Sequence, residues 1–171
     1  TEECELIGAF IGDGHIYRKR SKYLIGFTGN QVTDRLYFEK LKTWINNSWG
    51  RKVNLYFRSH AIRIQFGSKQ IVTRLIDVFE LPFNYGKCYK VKIPLKIAAD
   101  WNLAKYTVRG IVDTDGSIFT ADKPGSPAYP SIEITTTSIK LARQLKKLLS
   151  AHGFRVGKIW NSPSKLSQRY S

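Results

Sequence analysis

Two short apolar segments, each closing on an acid followed by glycine, divide the chain into halves. They read LIGAFIGDG over residues 6–14 and VRGIVDTDG over residues 108–116. Gly8 matches Gly110, Asp13 matches Asp115, Gly14 matches Gly116 and Ile16 matches Ile118, each pair 102 positions apart. Apolar residues on consecutive positions suit a helix buried on most sides. Gly8, Ala9 and Gly110 are small, so two such helices can pack closely along a shared seam. Gly14 and Gly116 are expected to end them as left-handed residues. Each helix then presents a carboxylate at its C-terminus, where the helix dipole disfavours it by about 0.3–1 kcal/mol. Two such carboxylates side by side repel, and one pKa rises. A bound divalent cation would relieve both penalties.

The surroundings of the segments repeat as well. In the first half, residues 14–20 and 23–28 alternate as two strands around a polar turn. A helix is expected over 33–48, with Leu36, Phe38, Leu41 and Ile45 inward. A second hairpin over 53–57 and 61–66 follows, then a helix over 69–79 stopped by Pro82. In the second half, strands are expected over 117–120 and 131–136, joined by a long turn holding Pro124, Gly125, Pro127 and Pro130. Ser138 caps a helix over 139–152, Gly153 ends it, and 156–160 reads as the next strand. The expected fold is α+β: two pseudo-symmetric αββαββα half-domains forming a β-saddle, with the two motif helices packed at their interface. The halves span 1–83 and 105–171, joined by a linker over 84–104. Tyr85, Tyr89, Val91, Ile93 and Trp101 anchor that linker, and 96–100 suits a short helix. The second half shows no closing helix, so it is either truncated or lacks that element. The absence of methionine is expected to reflect a processed or trimmed start.

Charge narrows the partner. Lys and Arg number 28 against 13 Asp and Glu, giving +15. The basic residues recur along the whole chain, as a polyanion-binding surface requires. Hydrophobic content of 42% supports a buried core. No apolar run is long enough to span a bilayer, and no leader is visible, so a membrane partner and secretion are not expected. Cys4 and Cys88 lack zinc-site spacing and are expected to be small buried residues in a reducing compartment.

The paired segments resemble the LAGLIDADG signature of homing endonucleases and related maturases. The sixth position departs, being Ile11 in one segment and Asp113 in the other, and Asp113 is read as structural. Arg109 stands where a small apolar residue is usual, which indicates a partly exposed helix. The resemblance implies a monomer with internal pseudo-dimer symmetry. It implies cleavage of both strands of a long asymmetric DNA target across the minor groove, leaving short 3′ overhangs. Two or three Mg2+ ions would be held by Asp13 and Asp115 with the carbonyls of Gly12 and Thr114. Lys87 is the candidate catalytic cation, with Lys90 and Lys92, or a solvated linker lysine, as alternatives. Asn30 and Thr137 match water-organising positions, or are plain turn polarity. His15 is expected to face DNA or solvent rather than act as a base, and His60 is likewise not read as one. The setting implied is intracellular: the cytoplasm or nucleoid of a prokaryote, or an organelle.

Alternation places Ile62, Ile64 and Phe66 inward and Arg63 and Gln65 outward. Arg63 suits guanine and Gln65 adenine. Lys19, Arg20, Lys22, Arg58 and Lys158, with Arg18 beside them, suit phosphates. Two rivals share the fold: an RNA maturase or splicing factor, and a non-catalytic DNA-binding regulator. The presence of both Asp13 and Asp115 opposes the second.

Overall fold

The computed structural model describes residues 1–160. Helix α1 (Glu2–Gly12) carries Leu6, Ile7, Ala9, Phe10 and Ile11 into the core, and Glu2, Glu3 and Glu5 sit favourably in its first turn. Strands β1 (His15–Lys19) and β2 (Lys22–Asn30) follow, then α2 (Arg35–Trp49), β3 (Tyr56–Arg58), β4 (Ala61–Gly67) and α3 (Lys69–Asp77). The four strands form one antiparallel sheet in the order β1-β2-β4-β3. Ile16, Ile25, Phe27, Ile62, Ile64 and Phe66 share the core with Phe38, Leu41 and Ile45 of α2 and Val72 and Leu75 of α3. Strand β4 alternates as expected, with Arg63 and Gln65 exposed between the buried residues. Leu36 does not join the core and is 80% exposed. It lies about 180° around the helix from Ile45.

The connecting segment holds two single-turn helices, α4 (Lys87–Lys90) and α5 (Leu95–Ala98). Val91, Ile93 and Ile97 bury as anchors, but Tyr85 and Tyr89 are exposed, flanking the left-handed Gly86 that turns the chain outward. Cys4 is buried, whereas Cys88, on the surface helix α4, is exposed. Helix α6 (Trp101–Asp115) begins inside the expected linker because Asp100 caps it, its side chain accepting from the Asn102 amide.

The second half continues with β5 (Gly116–Lys123), β6 (Ser126–Ile134) and α7 (Ile139–Ala151). β5 runs past its expected end at 120, and β6 starts at Ser126 rather than 131, through Pro127 and Pro130, and ends at Ile134 rather than 136; a two-stranded hairpin leaves edges where proline costs no ladder bond. Ser138 caps α7 by accepting from the Leu141 amide, and Gly153 after it has φ 83°. Residues 156–160 form no strand: among the described residues nothing pairs with them. Residues 161–171, which would hold the rest of this half, lie outside the described residues. No described helix is long and apolar enough to cross a membrane.

Neither motif glycine serves the expected purpose. Gly116 is extended (φ −96°, ψ 151°), and Gly14 is not among the positive-φ residues. What both require is space. A Cβ on Gly14 would strike the Phe10 ring and backbone, and one on Gly116 would strike the Val112 backbone.

Candidate active site

The site forms where α1 and α6 end together. Gly8 and Gly110 let the helices touch along their backbones: a Cβ on Gly8 would sit on the Thr107 carbonyl oxygen, and one on Gly110 on that of Glu5. Thr107, fully buried, donates its hydroxyl to the Cys4 carbonyl at 2.9 Å. The seam carries both motif acids to one end. Asp13 follows the last residue of α1, and Asp115 closes α6. The Asp115 carboxylate lies against Gly12, where an added Cβ would be 3.3 Å from its Oδ2.

Crowding shows in the electrostatics. Burial, and then the Asp115 charge, push the Asp13 carboxyl up from 3.8 to about 6, against the pull of Lys87. Burial raises Asp115 too, opposed by Lys87. Burial lowers Lys87 from 10.5 to about 8, while both aspartates hold it up. The Lys87 ammonium donates to the carbonyls of Phe10, Gly12 and Gly14 at 2.9, 2.5 and 2.6 Å, and lies over the Phe10 ring. It therefore caps two carbonyls of the last turn of α1, those of Phe10 and Gly12, together with the Gly14 carbonyl just beyond the helix. The Gly12 carbonyl, a candidate metal ligand, is one of them. The Thr114 hydroxyl turns back to Gly110 and Ile111 of its own helix.

The polar candidates beside the acids hold the local fold. Asn30 accepts the amides of Val32 and Thr33 through Oδ1, and its own amide donates to Asp34. Thr137 donates its hydroxyl to the Cys88 carbonyl at 2.9 Å, tying the start of α7 to α4 next to Lys87. His15 nests its ring where a side chain on Gly26 would stand. Burial and the nearby Lys87 and Arg63 cations lower its pKa, which favours neutral imidazole.

On the sheet, register aligns His15, Gly26 and Gln65 in one row, and Thr28, Arg63 and Tyr56 in the next. Arg58 and Lys19 share that face by alternation. Lys22 pairs with Lys19 at the hairpin end, and Arg20 occupies the turn at φ 52°. Arg18 instead shares the parity of buried Ile16, so it points to the opposite face, where its guanidinium lies over Tyr23. Lys158 is exposed on the extended segment after α7. His60 is exposed in the β3–β4 turn.

Two groups and one ion pair were not anticipated. Asp34, the N-cap residue of α2, brings a further negative charge near Asp13 and helps to raise its pKa. Tyr37 has a buried hydroxyl without a hydrogen-bond partner among the described residues. Arg109 pairs at 3.3 Å with Glu5, whose side chain is 7% exposed. That pairing accounts for a charged residue where a small one is usual. The polar N-cap at Asp34 and the odd Arg109 were the available signals.

Residues 103–165 match the sequence profile of the LAGLIDADG-like domain. No curated protein matches the sequence. The fold is similar to that of I-DmoI, solved in complex with DNA and Mn, with a TM-score of 0.62 at 14% identity over 90% of this chain and 78% of that one. It is also similar to the I-LtrWI LAGLIDADG homing endonuclease bound to target DNA, with a TM-score of 0.51 at 13% identity over 87% of this chain and 71% of that one. At such identities these structures speak for the fold, and the motif pair and profile speak for the sequence. Residues 103–165 thus resemble a LAGLIDADG-like domain in sequence, and the fold of the chain is similar to that of I-DmoI.

Proposed function

We propose that the chain is a site-specific endonuclease that cuts both strands of duplex DNA with a divalent cation, Mg2+ being the natural choice. The observation that carries this reading is the pair of crowded carboxylates, Asp13 and Asp115, at two helix tips in contact. Such a pair is costly without a counter-charge, and Lys87 supplies only one. The donor set suits a hard cation. Asp13 and Asp115 supply carboxylates, and the Gly12 and Thr114 carbonyls stand next to them. Among the described residues no group of three or more His, Cys, Asp or Glu could hold a metal unaided. Mg2+ favours few protein ligands, keeping waters and taking phosphate oxygens. When bound, the cation would neutralise phosphoryl oxygens and make its water acidic.

The chain's own residues do the rest. Lys87 holds the tip of α1 closed and sets positive charge beside the acids. Arg63 and Gln65 read base edges on the exposed sheet face, and Lys19, Lys22 and Arg58 neutralise phosphates. Halves that differ in sequence favour a long asymmetric target, cut by a monomer across the minor groove to leave short 3′ overhangs. The I-DmoI and I-LtrWI structures are both DNA complexes, which supports duplex DNA as the partner.

The test begins with selection of bound duplexes from a randomised library, followed by incubation of the selected DNA with Mg2+ or with EDTA. Double-strand cutting in Mg2+ alone is expected. Asp13→Asn and Asp115→Asn should each stop it while binding persists. Cutting by both variants at the wild-type rate would refute the metal assignment.

A further inference from the structure

A polar cleft of about 370 Å3 runs along one flank of the helix seam and reaches Asp13. Tyr37 and Lys40 line it from α2, and Arg109, Asp113 and Thr114 from α6. The internal repeat shows what this flank would be without its polar residues. Ile7 and Ile11 stand 102 positions before Arg109 and Asp113, and both are buried. Aligning α2 and α7 on their N-caps, Asp34 and Ser138, sets Leu141 against Tyr37. Leu141 is fully buried, in the same core as Ile7, Ile11, Val91 and Ile93. Three matching positions are thus aliphatic and buried. Along the cleft they are polar, and Arg109 and Asp113 there meet solvent. A cavity so roomy and so polar is one that water fills.

A duplex seated on the sheet would cover the front of the acid pair, and the cleft would then leave a way for water to reach a phosphate held at Asp13 and for protons to leave it. At the matching positions of the repeat, Ile7, Ile11 and Leu141 are buried hydrocarbon. We propose that the cleft between α2 and α6 is a water-filled side route serving the Asp13 half-site alone, so that the strand cut at Asp13 is cleaved before the strand cut at Asp115. This inference rests on the nuclease reading above.

The test follows each strand of the selected duplex separately, end-labelled, in Mg2+. Wild type is expected to cut one strand first and pass through a nicked intermediate. Asp113→Ile, which puts on this flank the residue found at Ile11, should slow the faster strand about tenfold, some 1.4 kcal/mol of barrier. The slower strand, still cut as before, reports that the variant is folded. Asp113→Asn keeps the position polar and should recover most of the lost rate. Crystal structures provide a readout apart from activity: ordered waters between Asp113 and Asp13 in wild type, displaced in Asp113→Ile. Equal rates on the two wild-type strands, equal slowing of both by Asp113→Ile, or a dry cleft would each overturn the side route and leave the nuclease reading standing. Failure of wild type to cut either strand would remove the nuclease reading, and this inference with it.

Discussion

At the scale of the residue, Asp13 sets the behaviour of the site. Its carboxyl titrates near 6 in the folded chain, against 3.8 for the free group. A raised acid favours the protonated form, so its stabilising contribution is present in acid and is lost as pH rises through about 6. Asn at this position mimics the protonated form. In thermal melts without metal, Asp13→Asn is therefore expected to melt above wild type near neutral pH and to lose that advantage by about pH 4. A gain that is the same at both pH values would show that charge is not its cause. Metal must displace that proton, so at limiting Mg2+ the rate should climb as pH rises through about 6 and then level off, and saturating Mg2+ should move the climb to lower pH. A rate at limiting Mg2+ already flat between about pH 5 and 7 would place the controlling group elsewhere. Both acids were legible in the sequence because each closes a repeated apolar segment. The duty of Lys87 at the carbonyls of α1 was not: 75 and 77 residues separate it from Gly12 and Phe10, and only the fold brings the linker back to that helix.

At the scale of the element, the seam between α1 and α6 is held by absence of side chains. Gly8→Ala would drive a methyl into the Thr107 carbonyl, and neither helix can retreat without parting Thr107 from the Cys4 carbonyl. A cost of about 1–3 kcal/mol or more is expected, read as a lower urea midpoint, with DNA cutting lost alongside. A midpoint equal to wild type would mean that the helices do not touch there. The small residues announced this contact in the sequence, as the 2-residue period of β4 announced which side chains meet the core. Elements without that one-sided burial were misjudged. The β5–β6 hairpin gave a weak signal because Ile118 and Ile132, a cross-strand pair, are 75% and 61% exposed. Proline at 127 and 130 reads as a break only where a strand has neighbours on both sides. Gly14 and Gly116 were legible as necessary but not for the right reason: composition identifies a glycine, and only packing tells whether φ or space demands it.

At the scale of the whole molecule, charge and fold act on one another. The excess of 15 positive charges is spread over both halves rather than gathered in one run of sequence. Register, though, gathers Lys19, Lys22, Arg58 and Arg63 onto one sheet face, while alternation sends Arg18 to the other. A duplex on that face would release condensed counterions in proportion to the phosphates it meets. With about six contacts the affinity should fall by roughly a thousandfold between about 50 and 200 mM salt, a slope near −5 on a double-logarithmic plot. Replacing Lys22 or Arg58 by Ala should make that slope shallower by about one while leaving sequence preference alone. Replacing Arg63 should relax preference at one base pair, at a cost of about 1–3 kcal/mol. Arg18→Ala is the control that separates face from charge: it removes the same unit of charge from the opposite side of the sheet. If Arg18→Ala flattens the slope as much as Arg58→Ala does, the duplex does not lie on the face that the register defines. Fluorescence anisotropy titrations of the four variants across the salt range decide between them.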